Sequence, residues 1–178
     1  MRMIKGFLLA ISGLFIMITL VSLLIPSQVL VSRGVEMNTI AEKVFFEISN
    51  LRNWRHWHPV FKNDSFRPTF SSDSSGLNSF CQWEENGRKY KLIVIALREQ
   101  EITLALQRPG ESDVNNTISL LPLAGGNRVQ VEWKALTKLK WYPWEKFYGI
   151  FIEKFTGQGY DDALHELKNY IEGIRKEN

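Results

Sequence analysis

From residue 65 to residue 137 the chain reads as one run of β-strands joined by short turns, and a single long amphipathic helix follows it. No other feature constrains the fold as tightly. An antiparallel meander carries one wet face and one apolar face, a helix carries one apolar stripe, and each must bury itself against the other. The strand signals are Phe66 to Phe70, Leu77 to Glu84, "RKYKLIVIA", "EITLALQ", "NNTISLLPL" and "RVQVEWKA". In the last of these Val129, Val131, Trp133 and Ala135 alternate with Gln130, Glu132 and Lys134, the period-two pattern of a half-buried strand. Asn86-Gly87 marks a hairpin, because a type I′ turn needs positive φ at both central residues.

The closing helix has Pro143 at a first helical position, where a missing N–H costs nothing. Gly157 and Gly159 interrupt it and predict a break or kink. Beyond them Ala163, Leu164, Leu167, Tyr170, Ile171 and Ile174 form an apolar stripe.

Upstream, "QVLVSRGVEMN" alternates like a strand, with Arg33 on the apolar parity of Val31 and Val35. Thr39 and Glu42 have the spacing of a capping box, and Ile40, Val44, Phe45 and Ile48 continue a short helix that stops at Asn50. The segment "NLRNWRHWHPVF" predicts a second short helix or turn broken at Pro59. Trp54 and Trp57, three apart, share a face that His56 and His58 do not.

A separate constraint sits at the N-terminal end. Phe7 to Ile25 runs nineteen residues without a charge, long enough at about 1.5 Å per residue to cross a hydrocarbon core of about 30 Å. It reads as an uncleaved transmembrane anchor. The rival, a cleaved signal peptide, has a shorter apolar region and a small-x-small site, and "LLIPSQVL" offers none. Arg2 and Lys5 precede the span, which places the N-terminus in the cytoplasm and the bulk of the chain outside it. The domain expectation is therefore an anchor over residues 1–27 and one globular domain over 28–178.

Composition narrows the partners. Removing Arg2 and Lys5 from 22 basic residues leaves 20 against 19 acidic ones, a domain charge of +1. That balance is too even for a nucleic-acid footprint, so nucleic acid is set aside as a partner. One cysteine, Cys81, excludes an internal disulfide. His56, His58, His165 and Cys81 do not have zinc spacing, and no metal or cofactor is expected. No G-x-S-x-G elbow, H-E-x-x-H or P-loop is present.

Three stretches carry a resemblance. "VSRGVEMNTIAEKVFFEISNLRNWRHWHPV", "FCQWEENG" and "FTGQGYDDALHELKNYIE" are similar to the opening, the aromatic hairpin strand and the closing helix of the START-like (SRPBCC) superfamily, the polyketide cyclase/dehydrase and lipid transport group. The likeness covers about residues 29 to 172 and extends to small bacterial members with a membrane helix. Asn38-Thr39 stands where the family has Ala-Pro, and Tyr160 and Ala163 replace Phe and Gly. The resemblance implies an α+β helix-grip fold, a curved antiparallel sheet of about seven strands wrapped on the C-terminal helix. It also implies that the Trp pair is scaffolding, and leaves the ligand open, because function lives in sites rather than folds.

A sheet curled around a helix leaves room for an apolar ligand. The expected lining is Trp83, Leu104, Leu106, Asn116, Ile118, Leu120 and Trp133 from the sheet, with Phe151 or Leu164 from the helix. Arg33, Asn116 and Gln107 are the polar candidates. Arg33 either pairs with a Glu on a neighbouring strand or snorkels to water, or else clamps an anionic head group. Residues 134 to 146 mix Lys138, Lys140 and Lys146 with Trp141, Tyr142 and Trp144, a composition suited to membrane contact or to a solvated loop. The functional expectation is a membrane-anchored carrier of a hydrophobic or lipid-like molecule without catalysis. A cyclase or dehydratase, and an interaction module with a filled core, are the alternatives.

Overall fold

A computed structural model describes residues 2–173. Helix α1 (Arg2–Ser22) leads to strand β1 (Gln28–Met37), then to three short helices, α2 (Ala41–Ser49), α3 (Trp54–Trp57) and α4 (Pro59–Lys62). Strands β2 (Thr69–Phe70), β3 (Phe80–Glu85), β4 (Arg88–Arg98), β5 (Glu101–Gln107), β6 (Val114–Pro122) and β7 (Val129–Lys138) follow, and α5 (Pro143–Glu172) closes the chain. The expected strand-rich centre and long closing helix are present. Ile174, the last member of the predicted stripe, lies outside the described residues.

All seven strands form one antiparallel sheet in the order β1-β7-β6-β5-β4-β3-β2. Only β1 leaves sequence order, crossing to pair with β7 from Gln28↔Lys138 to Met37↔Val129. The β3–β4 turn has positive φ at Asn86 (52°) and Gly87 (72°), as the hairpin signal requires. A register shift in β4 between Val94 and Ala96 inserts Ile95 as an extra residue and bends the sheet.

One face of this curved sheet is dry. Val94, Ile102, Leu104, Ile118, Val129, Val131 and Trp133 are buried there against Ala163, Leu164, Leu167 and Ile171 of α5. Trp54 and Trp57 of α3 plug the same core, with ring centroids 5.0 Å apart. Trp54 Nε1 donates to Ile48 O at 3.0 Å, which ties α3 to α2.

Three local expectations are corrected. The capping box does not form, because α2 starts at Ala41 with Ile40 as an uncapped N-cap, and Asn38 N–H instead donates to Glu172 of α5. The glycines do not break α5, which runs thirty residues without interruption. A Cβ at Gly157 would meet the Arg33 guanidinium, so a larger residue there would displace the side chain that pairs with Glu153 and Asp161. His58 does not point away from the Trp pair, because it leaves α3 in extended conformation and stacks on Trp54 at 5.2 Å and 13°.

Helix α1 is long and apolar enough to cross a membrane over Met3–Ser22, and most of its length stands clear of the rest of the protein. Only its last turn touches the domain, where it packs near α5 and Ser22 becomes buried.

Candidate functional site

A pocket of about 170 Å³ opens between the sheet, the α3–α4 corner and the middle of α5. Trp54 comes from α3, His58 from the joint, and Val60 and Phe61 from α4. Phe66 enters from the following loop, the sheet supplies Trp83, Leu92, Leu106, Asn116 and Trp133, and α5 supplies Tyr160. The joint exists because Pro59 forbids helical geometry at His58 and then starts α4 itself.

The walls are aromatic and interlocked. Trp133 meets Trp54 edge-on at 5.7 Å and Tyr160 at 5.3 Å, while Phe66 bridges Phe61 at 5.1 Å and Trp83 at 5.3 Å. Edge-to-face pairs of this kind fix ring orientations as well as filling volume. The cavity is therefore a preformed slot rather than a collapsible gap.

Its polar groups are few. Asn116 is buried, accepts from Trp133 Nε1 through Oδ1 at 3.1 Å, and donates from Nδ2 to Val114 O at 3.2 Å. A primary amide has two N–H donors, so one is left over beyond the bond to Val114 O. His58 accepts from Val60 N–H at its Nδ1 at 3.3 Å, and burial pushes its pKa down to about 4. Burial raises the Tyr160 phenol, partly opposed by Arg108.

The residues expected to line a cavity lie in different places. Trp83, Leu106, Asn116 and Trp133 come together at the pocket, whereas Leu104, Ile118, Leu120 and Leu164 lie in the packed core and are not part of its wall. Phe151 faces the other way and is half exposed; its neighbour Ile152 takes the buried position on α5. Gln107 is exposed near the end of β5.

Arg33 is not in the pocket either. Its Nε donates to Asp161 at 2.9 Å and its Nη1 to Glu153 at 3.2 Å, and the Glu153 and Asp161 bonds raise its pKa. Both partners are on α5 rather than on a neighbouring strand.

His58, Phe61, Phe66 and Tyr160 escaped the sequence reading. Three of them sit in irregular or short segments, where neither strand parity nor helical period says which way a side chain points. Tyr160 had a signal, the aromatic position that the resemblance placed near the end of the chain.

No group of three or more His, Cys, Asp or Glu among the described residues is placed to hold a metal. Cys81 is fully buried and its thiol is pushed up to about 12. Iodoacetamide should therefore leave the folded protein unmodified at neutral pH and alkylate it once in urea, as read by intact mass; labelling of the native state would contradict the burial.

The stretch expected at a membrane surface gathers at one end of the domain. Lys138, Trp141 and Trp144 are exposed there, and Lys140 and Tyr142 are half-buried, with Lys140 Nζ donating to Gly110 O at 3.1 Å. Lys146 turns inward instead, donating to Ile25 O at 3.0 Å and Ser27 Oγ at 2.6 Å.

Solved structures share this architecture. A START superfamily protein from Mycobacterium smegmatis superposes with a TM-score of 0.61 at 18% identity, covering 82% of this chain and 99% of that one. The fold is START-like. A Thermobifida fusca protein solved by NMR gives 0.63 at 14% identity, covering 86% of this chain and 98% of its own. Norcoclaurine synthase from Thalictrum flavum, solved with dopamine and hydroxybenzaldehyde, gives 0.63 at 12% identity, covering 84% and 90%. No family model and no curated protein sequence matches the chain. At these identities the START-like likeness concerns architecture alone.

Proposed function

We propose that the protein is a membrane-anchored binder of a small hydrophobic molecule, held in the aromatic slot without chemical conversion. The observation that carries this reading is the slot itself, an apolar cavity walled by Trp54, Trp83, Trp133, Phe61, Phe66 and Tyr160 with one spare amide donor at Asn116. Volume decides the ligand class. At about 170 Å³ the slot is smaller than the roughly 300 to 1,000 Å³ of drug-sized sites and close to a cavity of about 150 Å³ that accepts benzene. A single aromatic ring fits, or the end of an acyl chain, but not a whole lipid. The ring-sized molecules in the norcoclaurine synthase structure are of that class.

The non-catalytic part rests on protonation. General acid–base work near neutral pH needs a group that titrates there. His58 at about 4 stays neutral, and the Tyr160 phenol is raised further from neutrality. Helix α1 supplies the anchor, with Arg2 and Lys5 in the cytoplasm and the START-like domain on the other side.

Three tryptophans at the wall make the test direct. Hydroxybenzaldehyde titrated into the full chain in nanodiscs should quench tryptophan fluorescence saturably and raise the melting temperature. Leu106→Trp, which fills the slot, should remove both effects. Non-saturable quenching that persists in the filled variant, with no ring-sized molecule retained on purification, would overturn the proposal.

A further inference from the structure

The first half of α5 shows a face that a water-soluble domain has no reason to keep. Trp144, Tyr148, Phe151 and Phe155, spaced four, three and four apart, are 63%, 55%, 50% and 65% exposed. That spacing puts them on one side of a helix. Phe155 contacts both Tyr148 at 6.5 Å and Phe151 at 6.3 Å, and Trp144 stacks on Tyr142 at 5.0 Å, so the rings form one surface continuous with exposed Trp141. Single exposed apolar residues are ordinary; a contiguous aromatic patch marks a contact.

Position identifies what covers it. Lys146, on the buried side of the same turns, bonds Ile25 O and Ser27 Oγ, which pins the chain leaving α1 to the start of α5. Only residues 23–27 separate α1 from β1, a link that spans at most about 17 Å even when extended. With α1 across a bilayer, the start of α5 cannot leave the headgroup region. Tryptophan and tyrosine are the residues favoured at that boundary, and an amphipathic helix lying in the interface buries its apolar side there. The exposed cations Lys138 and Lys154 neighbour the patch in the chain and suit anionic headgroups.

We infer that the N-terminal half of α5, with Trp141, is embedded in the lipid interface, so that the START-like domain lies against the membrane instead of hanging from it. This rests on the reading of α1 as an anchor.

Buried, unreactive Cys81 leaves the full chain ready for single nitroxide labels without further substitution. Labels on Phe151→Cys, Phe155→Cys, Leu121→Cys and Leu14→Cys are compared in phosphatidylcholine–phosphatidylglycerol nanodiscs by oxygen and nickel-chelate accessibility. Leu121 is exposed at the opposite end of the sheet, paired with Gln130, and Leu14 is mid-span in α1. The expected result is several-fold lower nickel access at Phe151 and Phe155 than at Leu121, with oxygen access raised as at Leu14. Water-like access at Phe151 with Leu14 in lipid overturns the docking and leaves the anchor standing. Water-like access at Leu14 overturns the anchor itself. Exclusion of both reagents at Phe151 overturns the docking in favour of a protein cover such as a second copy.

Discussion

Trp54→Ala is expected to cost about 3 to 5 kcal/mol, the range for truncating a buried aromatic. Typical domains hold only about 5 to 15 kcal/mol in total, so the variant should be largely unfolded or close to it. The reason is positional. Trp54 is 2% exposed, touches Trp57, Phe61 and Trp133 through ring contacts, and anchors α3 to α2 through Ile48 O. Its loss opens the pocket wall and the core plug together. Urea denaturation followed by circular dichroism would show the midpoint collapse; a fall below about 1 kcal/mol would mean that the corner closes over the gap, against the rigid packing expected of an interior. A milder pair separates hydrogen bond from volume. Trp54→Phe loses the bond to Ile48 O, whereas Trp57→Phe loses none, because Trp57 Nε1 is buried without a partner among the described residues. Trp57→Phe should therefore be the less costly of the two, by about 1 kcal/mol.

The parts of this protein that could be read in advance are those governed by a period. Strand alternation placed Val129 to Ala135 on the dry face, and Asn86-Gly87 placed the hairpin, because each signal is local and has one geometric solution. Leu104 and Ile118 were right as inward residues and still fell outside the pocket. Parity tells which face a side chain takes, and not whether another side chain fills the space in front of it. Phe151 failed for a different reason. Its apolar character suggested burial, but the first half of α5 buries Gly149 and Ile152 and presents its aromatic residues outward. A helix that meets a core on one side and carries exposed aromatics on the other has no single polar face for the pattern to reveal. Arg33 and Gly157 show the limit most clearly. The guanidinium on the apolar parity and the glycine inside a helix each looked anomalous alone, and they explain one another only when β1 and α5 are brought together.

A pH titration of stability should show His58 plainly. In the unfolded chain a histidine titrates near 6.5, and in the fold burial takes this one to about 4. Between those values the unfolded state binds more protons than the folded state, so stability rises with pH across the window. The loss on acidification begins near 6.5, grows as the pH falls toward 4, and amounts to about 3 kcal/mol from this one group once it is complete. Tyr160, the other titratable group of the pocket wall, stays protonated throughout the range and adds nothing. Glu132 differs in its window. Its pKa is lowered by Lys134 and Ser32, so its contribution is lost below the ordinary carboxylate range rather than from 6.5 downward. His58→Phe keeps a ring for Trp54 to stack on and removes the titration, at the cost of the bond from Val60 N–H. Urea midpoints of the two proteins should converge or cross as the pH falls from 7 to 4, with the wild type losing the extra increment. Parallel curves would mean that water reaches the imidazole well enough to charge it in place, and the slot would then be wetter and more polar than its aromatic walls imply.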